Sequence, residues 1–241
     1  MISKTKGIVL HYIKYSETSV IVKIYTEVFG LQSYIIRNLR AKKAKNKMSL
    51  IQHLSFVDMV VYHNNKSKIH NIKEIKSDYQ FKTIPFDIVK SSLLVFINEF
   101  LYKTIYEEEP NKNLYNFIVN SVEYLDNTEA NINNFHLFFI TRLTKFLGFL
   151  PINNFSDKNN IFNMNEGEFQ NKIPIHSHFL NKNLSYYFSL LLSANIDNTD
   201  SIKLSLDNKN LLIEKIIEYY KIHIPGFKDI KSHRILKATF H

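Results

Sequence analysis

The 241-residue sequence contains no cysteine. That absence excludes a disulfide framework, a thiolate nucleophile and any Cys-ligated zinc or iron–sulfur site, and it fits a reducing compartment. Glycine and proline number five each, which argues against low-complexity linkers. No apolar stretch reaches the roughly 18 uninterrupted residues of a spanning helix. Met1 leads directly into a polar, strand-like segment without the n- and h-regions of a signal peptide. The expectation is a soluble, cytoplasmic protein. A Gly-rich phosphate loop, a nucleophile elbow, an HExxH motif and a paired-carboxylate spacing are all missing. Nothing here argues for an enzyme or for a cofactor.

Hydrophobic residues make up 45% and charged residues 22%, the proportions of a globular chain rather than a disordered one. The length suits one large or two small domains. The net charge is +9, and its distribution is uneven. Residues 1–80 carry 14 Lys/Arg against 5 Asp/Glu, whereas residues 81–241 carry 17 of each. A basic module joined to a neutral one points to a polyanionic partner, nucleic acid first and an anionic membrane surface second.

The basic third has the pattern of strands. Runs over residues 7–13, 19–26, 31–39, 54–63 and 68–75 are rich in β-branched and aromatic residues. Val20, Val22 and Ile24 share one face at period two. Phe29-Gly30 marks a turn, and Asn64-Asn65 a hairpin tip. Five short strands in this space predict a five-stranded OB-fold barrel. From Pro85 onward the spacing is helical, over residues 86–107, 114–125, 134–147, 184–194, 210–223 (capped by Asp207) and 230–239. The fold class is therefore α+β in two domains, a barrel over residues 1–80 and an all-α domain over 81–241. A non-helical insertion of loop and short strands is expected around 150–182.

Between the third and fourth strands lies a stretch with Arg37, Arg40, Lys42, Lys43, Lys45 and Lys47 and no acid. Such a loop can follow a phosphate backbone, because each cation neutralises a phosphate and releases a counterion. Its bland alternative is a solvated loop. Tyr12, Tyr25, Tyr34, Phe56 and Tyr62 fall in the strands. Most should be core, and Tyr12 and Tyr34 are the candidates for stacking on bases. A second basic cluster, Lys221, Lys228, Lys231, Arg234 and Lys237 with only Asp229 opposing, is either a solvated helix face or a dock for acidic peptide or DNA. His176 and His178 near Glu166 and Glu168 match no trusted zinc spacing.

Several pieces, taken in order, resemble the bacterial RecO family of recombination mediators. They are Gly7-Ile8-Val9-Leu10, Tyr15-Ser16-Glu17-Thr18, Ile24 through Gly30, the basic loop, Leu54 through His63 and Ile72-Lys73-Glu74. Tyr220 through His223, Pro225-Gly226-Phe227 and Ile230 through Leu236 resemble that family's ending. The resemblance implies an OB fold and a helical domain, binding of single- and double-stranded DNA, and annealing of complementary strands. It implies partnership with RecR and with the acidic C-terminal tail of single-stranded DNA-binding protein, to load recombinase. Arg37, Arg40, Lys42, Lys43, Lys45 and Lys47 would then contact DNA. Lys231 and Arg234 would meet the acidic tail beside a pocket of Leu211, Ile216 or Tyr220. Many members carry a four-cysteine zinc site near the insertion. With no cysteine, no metal is carried over, and Phe155, Phe162 and Phe169 are expected to hold that segment. The rival readings are an RNA-binding OB protein and a non-enzymatic interaction scaffold.

Overall fold

The structure, a computed structural model, describes residues 1–37, 48–64 and 66–239. Strands β1 (Ile2–Lys14), β2 (Val20–Thr26), β3 (Gly30–Ile36), β4 (Phe56–Tyr62) and β5 (His70–Ser77) form a closed barrel in the order β1-β2-β3-β5-β4. This is the expected five-stranded, OB-like barrel. Neighbours are antiparallel except β3 and β5, which run parallel and pair only at Tyr34–His70 and Ile35–Asn71. β1 begins five residues before the expected strand, because Ile2 through Gly7 pair with β4 from Tyr62 back to Val57. Branched aliphatics fill the interior: Val9, Val20, Val22, Ile24, Ile36, Val57 and Val61, with Met59 and Tyr34.

Beyond the barrel, Pro85 sits inside a short 3-10 helix, Ile84–Phe86, where its missing N–H costs nothing. Helix α1 (Ile88–Thr104) follows, then α2 (Lys112–Asn127), α3 (Phe135–Leu143), α4 (Lys182–Ser193), α5 (Leu206–His223) and α6 (His233–Thr239). The helix start expected at Asp207 lies earlier: Ser205 is the cap, its hydroxyl accepting from the Asn208 N–H. Among the described residues, no helix is long and apolar enough to cross a membrane.

The chain groups into two compact units. Residues 1–87 and 101–122 form one, and residues 88–100 and 123–241 the other. Within the second unit the core is aromatic, with Phe96, Phe100, Phe135, Phe139, Phe188 and Tyr220 fully or almost fully buried. The segment after α3 folds into a small sheet of β6 (Ile161–Asn163), β7 (Glu168–Gln170) and β8 (Phe179–Leu180), in the order β7-β6-β8. Phe162 and Phe169 face each other across β6 and β7 with ring centroids 5.0 Å apart, and Phe155 meets Phe169 edge-on at 5.4 Å.

Candidate nucleic-acid interface

Register decides which side chains the barrel shows to solvent. Directly paired residues of antiparallel strands project from the same side of the sheet. Tyr12 pairs with Val22, and Val22 with Tyr34, so these three share the inner side. The neighbouring pairs, His11–Lys23–Ser33 and Ile13–Ile21–Ile35, project outward. A third outward row, Ile8–Tyr25–Leu31, is at most 8% exposed, because residues 101–122 cover it. The Tyr25 hydroxyl donates to the Asn111 carbonyl (3.3 Å), and the Leu31 N–H donates to the Glu107 carbonyl (3.1 Å). Burial first, and the Glu107 charge after it, push the Tyr25 hydroxyl up to about 12 against the opposing Asn111 hydrogen bond. Gly30 makes this approach possible. Its φ is +63°, and a Cβ there would stand 2.5 Å from the Glu109 carbonyl oxygen.

At the edge of this cover, His11 stacks on Tyr102 with centroids 4.4 Å apart. Burial, then the nearby His53 and Lys23, hold the His11 imidazole below its ordinary pKa. Next to it, Lys23, Gln32 and Ser33 from β2 and β3 meet Lys66, Ser67 and Lys68 from the β4–β5 connection. With Tyr106 and Glu108 they line a polar pocket of about 300 Å³. No ion pair holds Lys23, Lys66 or Lys68 among the described residues, so the pocket presents three cations against one carboxylate.

The β4–β5 connection is fixed from beneath by rings. Phe29 stacks on His63 at 4.0 Å, and His63 on His70 at 4.5 Å. The Asn64 N–H donates to His70 Nδ1 (3.4 Å), which leaves Nε2 as the donor toward Gln32 Oε1 (3.0 Å). Gln32 Nε2 in turn donates to the Phe29 carbonyl (2.7 Å). This chain of contacts needs a neutral His70. Burial and the adjacent His63 lower its pKa, with Glu108 opposing.

The candidates named from sequence fall unevenly on this frame. Arg37 is exposed just past β3 and lines a second groove of about 340 Å³, where β3 and β5 diverge, together with Ile35, Ile72 and Lys73. Arg40, Lys42, Lys43, Lys45 and Lys47 lie outside the described residues. Tyr34 is corrected: its ring is fully buried in the barrel core and offers no face to a base. Tyr12 is 37% exposed, at the open end of the inner row rather than on the outer face. Lys23, Lys66 and Lys68 were missed. Their signal was present, since placing Val20, Val22 and Ile24 inside puts Lys23 outside, and Lys66 and Lys68 follow the hairpin tip at Asn64.

In the helical unit, Tyr220 is also corrected. It is fully buried, its hydroxyl donating to the Ile140 carbonyl (2.6 Å) and its ring packed edge-on against Phe100 and Phe149. It cannot line a surface pocket, nor can Ile216, which is 2% exposed; Leu211 remains at the surface. Lys231 and Arg234 are exposed. The Lys231 and Ser232 N–H groups both donate to the Glu99 carboxylate, at 3.0 and 2.7 Å. The cluster around them is less open than the sequence suggested, because Lys221 pairs with Asp229 (2.5 Å) and Lys237 with Glu214 (2.6 Å). His178 is engaged by Glu218 at 2.7 Å. Among the described residues, no group of three or more His, Cys, Asp or Glu is placed to hold a metal.

Comparison with known proteins adds a second line of observation. Residues 1–81 match the family model for Recombination protein O N terminal, and residues 85–233 match Recombination protein O C terminal. The chain is 36% identical over 240 residues to the DNA repair protein RecO of Azobacteroides pseudotrichonymphae genomovar. CFP2, covering 100% of both. It is 36% identical over 240 residues to that of Flavobacterium psychrophilum, covering 98% of both. For the protein of Bacteroides fragilis the value is 34% over 241 residues, with 100% of both covered.

Proposed function

Since the chain belongs to the Recombination protein O family of DNA repair proteins, we propose that it acts as a recombination mediator in the cytoplasm, on nucleoid DNA. It binds single- and double-stranded DNA through the barrel module of residues 1–80. It anneals complementary strands and hands DNA to recombinase without making or breaking covalent bonds. Its protein partners are RecR, which meets the barrel module, and the acidic tail of single-stranded DNA-binding protein, which meets the module of residues 81–241, where Lys231 and Arg234 orient it through charge-assisted contacts.

One observation carries the DNA-binding reading. Lys23, Lys66 and Lys68 converge where β2 and β3 meet the β4–β5 connection. In OB barrels that face and that loop take oligonucleotides. Three cations there screen the repulsion between two phosphate backbones, which is the electrostatic barrier to annealing. The test is annealing of two complementary DNA oligonucleotides, bare and coated with single-stranded DNA-binding protein, by wild type and by a K23A/K66A/K68A variant. Loss of annealing in the variant supports the reading. Equal rates in both proteins reject this face, and no annealing by wild type rejects the mediator function.

A further inference from the structure

The outward row Ile13–Ile21–Ile35 is unusual for a solvent-facing strand position, where polar residues are the rule. Ile13 is 51% exposed, and Ile21 and Ile35 are partly exposed. The row crosses three adjacent strands, so its ends are about 10 Å apart. The cover supplied by residues 101–122 lies over a different part of the same face. It buries Ile8–Tyr25–Leu31 and reaches His11 through Tyr102. The isoleucines lie one further row beyond His11.

Cations bracket this aliphatic row on both sides. On one side, two residues further along β2 from Ile21 and about 7 Å away, stands Lys23, with Lys66 and Lys68 across the pocket. On the other side is the exposed Arg37, two residues past Ile35. The acids of this region are Glu17 in the β1–β2 turn, Glu74 on β5 and Glu108 at the pocket rim. No acid stands in the isoleucine row or in the His11–Lys23–Ser33 row.

Apolar surface with cations at both of its edges matches an unpaired polynucleotide. Such a strand exposes apolar base faces along one side and phosphates along the other. A duplex hides its base faces in the stack and offers only phosphates to the lysines. We propose that Ile13, Ile21 and Ile35 form a platform for unpaired bases, so that this row, rather than the cations, sets the preference for single over double strands. The proposal rests on the DNA-binding reading above and adds the element that discriminates between its two substrates.

The test uses the full chain and measures affinity for a fluorescent oligothymidylate and for a duplex of equal phosphate count, at two salt concentrations. Threonine keeps the branched β-carbon that strands favour, so I13T/I21T/I35T is the first variant. The expected result is a loss of about tenfold in single-strand affinity, with duplex affinity and both salt slopes unchanged, since no phosphate contact is removed. A folded variant with unchanged single-strand affinity, or with equal losses on both ligands, overturns the proposal. An unchanged value would leave the row to a protein partner. If the triple variant fails to fold, Ile21→Tyr serves. A ring there should tighten single-strand binding at least several-fold, and no gain, or an equal gain on duplex, overturns the proposal. Wild type binding neither DNA would instead overturn the DNA-binding reading.

Discussion

The barrel unit and the helical unit treat charge in opposite ways. In the barrel unit, Lys6 and Lys76 pair with Asp78 and Asp58, while Lys23, Lys66 and Lys68 converge without a carboxylate partner among the described residues. In the helical unit several ionisable groups answer one another: Lys215 and His178 hold Glu218, Lys221 holds Asp229, and Lys237 holds Glu214. The carboxylate of Glu99 is engaged by the backbone at Lys231 and Ser232. Equal numbers of acids and bases can neutralise each other locally. A surplus of nine on the first 80 residues cannot, and folding gathers part of it on one face. The lesson is that net charge locates a function only where the fold leaves the charges uncompensated.

The sharpest way to break this contrast is at Gly30. Its φ of +63° and the 2.5 Å approach of the Glu109 oxygen leave no room for a side chain. Gly30→Val should cost about 3 kcal/mol or more, through strain and loss of the cover over Tyr25 and Leu31. Urea unfolding would measure it. Next in size is the cationic face. Removing three phosphate contacts should lower single-strand affinity on the order of a hundredfold at 0.1 M salt and flatten the log K against log salt slope by about 2. An unchanged slope for K23A/K66A/K68A would mean that the three lysines do not meet phosphates.

A third prediction separates the units by pH. His136 is fully buried, and burial, with Lys209 adding, pushes its pKa down to about 3. Above the unfolded imidazole's pKa this shift has no effect on stability. As pH falls below that value, the unfolded chain takes up a proton that the folded chain refuses, so stability drops by about 1.4 kcal/mol per pH unit. The loss should reach about 2 kcal/mol by pH 5, and His136→Gln should remove that part of the slope. An identical pH profile for wild type and variant would show that His136 is protonated in the folded state. The smallest effect is expected at Lys237. Its exposed pairing with Glu214 should contribute no more than about 1 kcal/mol, and Lys237→Ala should shift the unfolding midpoint only slightly.

Much of the barrel was legible because period two and branched residues coincide there. The inner set Val20, Val22 and Ile24 could be read directly. What could not be read was the bulge in β1. The register shifts between Val9 and His11, so the extra residue Leu10 moves Tyr12 from the side shared with Ile8 to the side shared with Val22. Tyr34 follows from Val22 through pairing, which no local pattern reveals. In the helical unit the spacing located the helices but not the depth of each side chain. Tyr220 lies in a stretch rich in Lys and His, yet it is the ring around which Phe100, Phe149 and Phe227 pack. The short strands of the insertion were expected only in kind, since three-residue strands carry too few alternations to register.

The grouping of residues 101–122 with the barrel has a consequence for how the chain must be made. A ribosome that has released only the five strands has produced a barrel whose outer row Ile8–Tyr25–Leu31 is bare. The chain from residue 78 through residue 122 must emerge before that row is sealed, and by then it has already entered the second unit once. The nascent barrel therefore waits, with an apolar flank exposed, for a segment that belongs to it in space but not in sequence. A gene truncated just after the last barrel strand would make that waiting state permanent.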